Sequence, residues 1–264
     1  MLIAHRVRRV AGRRLRPVAW RWLTSSAGAS ADRPGLHADA SLVGVVQRGS
    51  ASSSDALLPP APPLAIYPDA VSATEEARLV REAERWLSRK DYEHGHFDRV
   101  IVGYREVQKP LRAFSPRSRA VLDRLVAAAF TPDAARTLLP VHVLDLAADG
   151  YIAKHVDHVG YSGESIVGLS LLSGCTMTLH HEPRGYHDAF GAAATDDDGA
   201  PWLAMRLPRR SLYVLRGAAR YEWAHAVRAP APPGRLGSGG DAPGDGGDAA
   251  RGRRIALIFR DAKA

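Results

Sequence analysis

"YIAKHVDH", Tyr151 to His158, reads as a β-strand. Successive side chains on a strand point to opposite faces, so Tyr151, Ala153, His155 and Asp157 fall on one side. An imidazole and a carboxylate therefore reach the same point. The stretch is not isolated. After Pro140 the chain breaks into short apolar runs, "VHVLDLA", "YIAKHVDH", "IVGLSLLS", "TMTLHH", "WLAMRL", "SLYVLRG", "YEWAHAV" and "RIALIF", with turn residues between them. Such a series predicts a mainly β domain of the jelly-roll or barrel type.

The last run poses a chemical problem. In "RRIALIFR", Arg253 to Arg260, alternation places Arg254, Ala256, Ile258 and Arg260 on one face and Ile255, Leu257 and Phe259 on the other. Both faces look buried, and a guanidinium among hydrocarbon is costly unless an anion meets it.

A third candidate ligand, His225, lies in "YEWAHAV". With His155 and Asp157 it would make a two-histidine, one-carboxylate set that covers one side of a metal and leaves the other open, as in non-haem Fe(II) oxygenases. His-x-Asp alone is weak evidence in a chain with eleven histidines; the order adds to it. His155-x-Asp157, a distant His225 and then arginines on a late strand suit an oxygenase that takes 2-oxoglutarate as co-substrate. Its far carboxylate needs a buried cation. Arg254 would clasp that carboxylate, and Arg260 would lie nearer the iron-side carboxylate or support a neighbouring acid.

"VHVLDLAADGYIAKHVD", "SIVGLSLLSGCTMTL", "SLYVLRGAARYEWAHAV" and "RGRRIALIFR", with "YEHGHFDRVIVGYRE" upstream, resemble the AlkB-related dioxygenases and, within them, their mitochondrial seventh branch. The resemblance spans about residues 64 to 264 apart from two inserts. It implies a double-stranded β-helix with flanking helices, Fe(II) on His155, Asp157 and His225, 2-oxoglutarate on Arg254 and Arg260, and O2 as the second co-substrate. Tyr213 matches a family tyrosine whose hydroxyl reaches the co-substrate; from the strand pattern alone it is equally a core tyrosine.

Two departures bear on the substrate. Base-repairing members carry Asn-x-Tyr where this chain has Leu144 and Leu146, and they have an aromatic lid, whereas Glu106 to Val141 here offers only Phe114 and Phe130. A flipped base needs such stacking, which argues against duplex DNA. The resemblance points instead to a protein or small-molecule substrate in the mitochondrial matrix, with links to programmed necrosis. A mitochondrial RNA N-demethylase and a non-catalytic metal-binding scaffold are the alternatives. A monomer is expected.

The flanks read differently from the domain. Residues 1–31 hold seven arginines and no acid, so seven of the eight net positive charges sit there and the remainder is near neutral. Arg mixed with Leu, Val and Trp, and ending in Ser and Ala, predicts a mitochondrial transit peptide; the rival is a basic arm for nucleic acid or lipid. Residues 32–63, rich in Ala, Ser and Pro, predict a disordered linker. "SATEEARLVREAERWLSRK" and "SPRSRAVLDRLVAAAF" predict helices, and "FDRVIVGYREV" a strand. The inserts are "EPRGYHDAFGAAATDDDGA" and the Gly/Pro/Asp tract 229–252, which predicts a disordered loop. One cysteine, Cys175, excludes an internal disulfide, and no apolar run is long enough for a transmembrane segment. His94, His96, His180 and His181 read as solvated, His158 as facing away from the ligands, and Arg216, Arg220 and Glu222 as a candidate ion-pair group.

Overall fold

The computed structural model describes residues 20–22, 36–46, 62–95, 100–182, 202–228 and 251–263. Most of the expected transit peptide, the inserts at 183–201 and 229–250, and His96 lie outside the described residues.

Among the described residues eleven strands form one antiparallel sheet: β1 (Trp20–Trp22), β2 (Val43–Val46), β3 (Leu64–Tyr67), β4 (Ile101–Lys109), β5 (Val141–His155), β6 (Ser162–Leu171), β7 (Cys175–His181), β8 (Trp202–Leu207), β9 (Leu212–Arg216), β10 (Trp223–Val227) and β11 (Arg254–Ala262). The order is β1-β2-β8-β7-β10-β5-β11-β6-β9-β3, with β4 pairing β5 off this path. The sheet curls into the half-barrel of a jelly-roll, the mainly β architecture that the run of short strands predicts.

Among the described residues four α-helices accompany it: α1 (Ala73–Leu87), α2 (Pro116–Ala129), α3 (Pro132–Arg136) and α4 (Ala218–Tyr221). Ser72 opens α1 in a reciprocal capping box with Glu75, which satisfies two otherwise orphaned N–H groups. Ser115 caps α2, with Pro116 in its first turn, where a missing N–H costs nothing. Glu82 is buried on α1 and accepts from Ser115 N at 3.0 Å and Ser118 Oγ at 2.7 Å, tying the two helices together.

The strand β11 displays how the core is divided. Its Ile255, Leu257 and Phe259 join Val143, Leu169, Val214 and the apolar stripes of α1 and α2 in one cluster. Its Ala256 and Ile258 join Leu144, Leu146, Ile166, Met177, Leu179, Tyr213 and Trp223 in a second cluster on the opposite face. Both faces of β11 are buried, and Arg254 is only 2% exposed. The helices cover the first face; the second is the concave interior that holds the site.

Three expectations need revision. "VHVLDLA" and "YIAKH" are one fifteen-residue strand, because β4 pairs along β5 through a register shift at Val102/Tyr104, where Gly103 at φ +67° packs against Gly150. The alternation does not carry Asp157, which lies beyond the last residue of β5. Part of the segment read as a linker is structured: Val43–Val46 pairs with Trp202–Met205 of β8, since that edge of the sheet presents unpaired backbone groups.

Candidate metal centre

The register of β10 on β5 makes His225 and His155 cross-strand partners, with ring centroids 4.3 Å apart. Asp157 sits between them: its Oδ1 is 3.3 Å from His155 Nε2 and 3.8 Å from His225 Nε2. One ligand atom from each of the three residues lies within 4.8 Å of the others. His155 Nδ1 is 2.9 Å from the carbonyl of Ala153. A carbonyl can only accept, so Nδ1 donates to it, and Nε2 is the nitrogen turned toward Asp157. Two imidazoles and one carboxylate, drawn from two strands and the turn after one of them, fit Fe(II).

Electrostatics keep the set ready for a cation. Burial alone would raise the Asp157 carboxyl, but Arg260, the His155 hydrogen bond and the two imidazoles outweigh it and hold it well below the ordinary aspartate value. Burial, reinforced by His155, lowers His225 to about 3, so it is a neutral donor at physiological pH. Arg260 Nε donates to Asp157 Oδ2 at 2.7 Å. Arg260 Nη1 reaches His142 Nδ1 at 3.4 Å, and His142 Nε2 meets Glu106 at 2.6 Å. Arg260 thus lies beside a neighbouring acid, Asp157.

Arg254 sits six residues earlier on the same strand face. Its Nη2 donates to the buried Ser170 Oγ at 2.9 Å, its Nε has no partner among the described residues, and no carboxylate pairs with it there. Arg253, by contrast, forks onto Asp145 at 2.8 and 2.7 Å and fixes the start of β11. Tyr213 is 4% exposed in the interior cluster, and burial pushes its phenol up to about 12, so it keeps its proton and can donate. It lies opposite Gly168 in the β6–β9 ladder, and a Cβ at Gly168 would collide with the hydroxyl-bearing edge of its ring. Leu144 and Leu146 are fully buried and pair with Ala256 and Arg254 of β11, so the wall there is hydrocarbon.

Several contacts were not legible in the residues. Ser170, Asp145 and Gly168 carry no spacing or chemistry that marks them as site residues in the sequence. Arg220 and Glu222 do not pair: Arg220 turns inward to backbone carbonyls of the ligand segment, and Glu222 lies 3.8 Å from His181. His180 and His181 are half-buried rather than solvated, because their rings pack on Trp202 and Trp223. Cys175 is buried in the interior cluster. Phe114 and Phe130 are both core residues, leaving no stacking surface between Glu106 and Val141. The exposed large apolar side chains among the described residues are Tyr151 and Tyr161, on either side of the ligand segment.

Comparison with known proteins agrees with this geometry. The mitochondrial alpha-ketoglutarate-dependent dioxygenase alkB homolog 7 of Mus musculus is 42% identical over 162 residues, and that of Bos taurus 44% over 163; each alignment covers 61% of this chain and 66% of the relative. The chain thus spans slightly under two thirds of the length of these curated relatives. Human alkB homolog 4 is 26% identical over 208 residues, covering 64% of this chain and 62% of that protein. The solved structure of OsALKBH1 compares at a TM-score of 0.48 and 14% identity, over 77% of this chain and 99% of that one. Residues 89–260, which include all three candidate metal ligands and both interior arginines, match the family described as the 2OG-Fe(II) oxygenase superfamily, and the chain belongs to that superfamily.

Proposed function

We propose that the chain is a mitochondrial Fe(II)- and 2-oxoglutarate-dependent dioxygenase of the AlkB type that hydroxylates a protein or small-molecule substrate. The observation that carries this reading is Arg254: a guanidinium buried to 2% exposure, held by a serine and meeting no anion among the described residues, on the strand whose other arginine holds Asp157. A buried cation of that kind calls for a carboxylate, and a dicarboxylic acid has one to spare after chelating a metal. His155, Asp157 and His225 would hold Fe(II), which together with 2-oxoglutarate and O2 supplies the oxidising power to turn C–H into C–OH while yielding succinate and CO2.

This chain's own residues do the rest. Arg254 and Ser170 would bind the far carboxylate and orient the acid, with the neutral Tyr213 hydroxyl as a further donor. Leu144, Leu146 and Ile258 keep water from the arm between the two ends. Arg260 keeps Asp157 ionised.

The mitochondrial location rests on the names of the relatives and the composition of residues 1–31; a role in programmed necrosis rests on the family resemblance alone. No observation favours RNA. The basic side chains of α2 are partly neutralised within the fold, Arg124 by Glu75 at 3.0 Å and Arg119 by Asp123 at 3.5 Å.

The test is anaerobic. Fe(II) and then 2-oxoglutarate are added to the protein, and the visible charge-transfer band of the chelate is sought, followed by succinate release on admitting air. A band that is lost in His225→Ala and weakened in Arg254→Ala supports the reading. Its absence from folded wild-type protein refutes it and leaves the scaffold.

A further inference from the structure

Arg220 is 1% exposed, lies in the short α4 between the strands of Tyr213 and His225, and meets no carboxylate side chain at ion-pair distance among the described residues. Burial depresses its pKa against the opposing pull of Asp157. A guanidinium this deep is costly unless its donors are used, and the contacts explain why it is there. Its Nη1 donates to the backbone carbonyl of Asp157 at 2.9 Å, and its Nη2 to the carbonyl of His158 at 3.3 Å and to Ser162 Oγ at 2.6 Å.

Asp157 follows the end of β5, so no ladder hydrogen bond fixes its peptide. The planar fork of Arg220 does so instead, at the residue itself and at the next one. The far side of that fork is anchored in turn: Asp261 of β11 accepts from the backbone N–H groups of Glu164 at 3.1 Å and Ser165 at 2.9 Å, which fixes the start of β6 that carries Ser162. A path of direct contacts therefore runs from β11 through β6 and α4 to the backbone of Asp157, whose carboxylate lies between the two histidines.

We infer that Arg220 is a positioning residue, which sets the placement of the Asp157 carboxylate by holding the Asp157–His158 backbone, and that Ser162 orients Arg220. The inference rests on the metal reading above. Side chains that orient metal ligands typically contribute about 10- to 100-fold in metal affinity. Lysine at position 220 would keep the charge but has no fork to span two carbonyls and a hydroxyl.

The test uses the full chain and Mn(II) or Co(II) without co-substrate. Mn(II) affinity is measured by calorimetry, the coordination geometry by the visible d–d spectrum of the Co(II) form, and metal-free stability by urea denaturation in chelator. Arg220→Lys is expected to bind Mn(II) roughly 10- to 100-fold more weakly with a changed Co(II) spectrum; Ser162→Ala is expected to give the same changes to a smaller degree. Unchanged affinity and spectrum in Arg220→Lys would overturn the inference, whatever the change in urea midpoint. Where Arg220→Lys does not fold, Ser162→Ala decides: a weakened affinity with a shifted spectrum supports the inference, and wild-type values overturn it. Failure of the wild-type protein to bind either ion would overturn the metal reading itself and the inference with it.

Discussion

Arg260 Nε lies 2.7 Å from Asp157 Oδ2, while the other oxygen of the same carboxylate lies 3.3 Å from His155 Nε2. One carboxylate thus faces a permanent cation on one side and two imidazoles on the other. Without metal, Arg260 is the charge that offsets Asp157. Replacing it with Met is expected to cost about 2 to 4 kcal/mol in the metal-free protein, by analogy with broken buried pairs and discounted for the partial exposure of Arg260. Mn(II) should then stabilise Arg260→Met more than it stabilises wild type, because the ion replaces the missing charge. Urea midpoints with and without Mn(II) check both.

Acid should unfold the metal-free protein through the same residues. The unfolded chain protonates His225 near pH 6.5, whereas the folded chain resists until about 3. Between those values the unfolded state binds more protons, so stability falls as pH falls, by at most about 5 kcal/mol from this residue. Asp157, held well below 3.8 when folded, contributes stability above its unfolded value that is lost as pH drops further. The urea midpoint is expected to decline from pH 7 to pH 4, and His225→Gln to flatten that decline.

Gly168 makes room for the Tyr213 ring. Gly168→Ala should displace the phenol or push the strands apart, costing about 1 to 3 kcal/mol as overpacked cores do. The affinity for 2-oxoglutarate should fall with Mn(II) binding kept, and titrations of each ligand on the same protein separate the two.

Arg254→Met removes the unpaired interior cation without touching the ligands. The expected result is near wild-type Mn(II) affinity, a loss of 2-oxoglutarate affinity of about tenfold or more, and no loss of fold, since hydrocarbon in place of a buried charge is often neutral or stabilising. Equal 2-oxoglutarate affinity in the two proteins would refute the anion site.

Asp145 is fully buried and accepts from Arg253, Arg105 and Tyr92. Asp145→Asn leaves Arg253 and Arg105 with Glu84 as their remaining carboxylate and should cost about 3 kcal/mol, read as a lower urea midpoint. The start of β11 would loosen, and Arg254 with it.

The parts of the site visible in the sequence are those whose chemistry is rare or periodic. His155-x-Asp157 and His225 stand out by residue type, and the two arginines because charge at period six on an apolar strand is anomalous. The helices are legible from Ser72 and Ser115, whose caps are local. What was illegible depends on pairing across many residues: Ser170 matters only because β6 lies beside β11, Gly168 only because β9 lies on the other side, and Arg220 only because the chain after β5 bends back over α4. The strand at Val43–Val46 was hidden in the same way, since its partner is β8, about 160 residues away.

The strand that carries Arg254 and Arg260 is the last one in the described chain, yet it sits between β5 and β6 in the middle of the sheet. A ribosome therefore delivers all three histidine and aspartate donors before either arginine exists outside the exit tunnel. Until β11 emerges, β5 and β6 expose a slot with unpaired backbone and an open apolar lining, a form prone to wrong partners. Closing of the interior and arrival of both buried cations then fall together, so a chain without β11 would lack its keystone as well as Arg254 and Arg260.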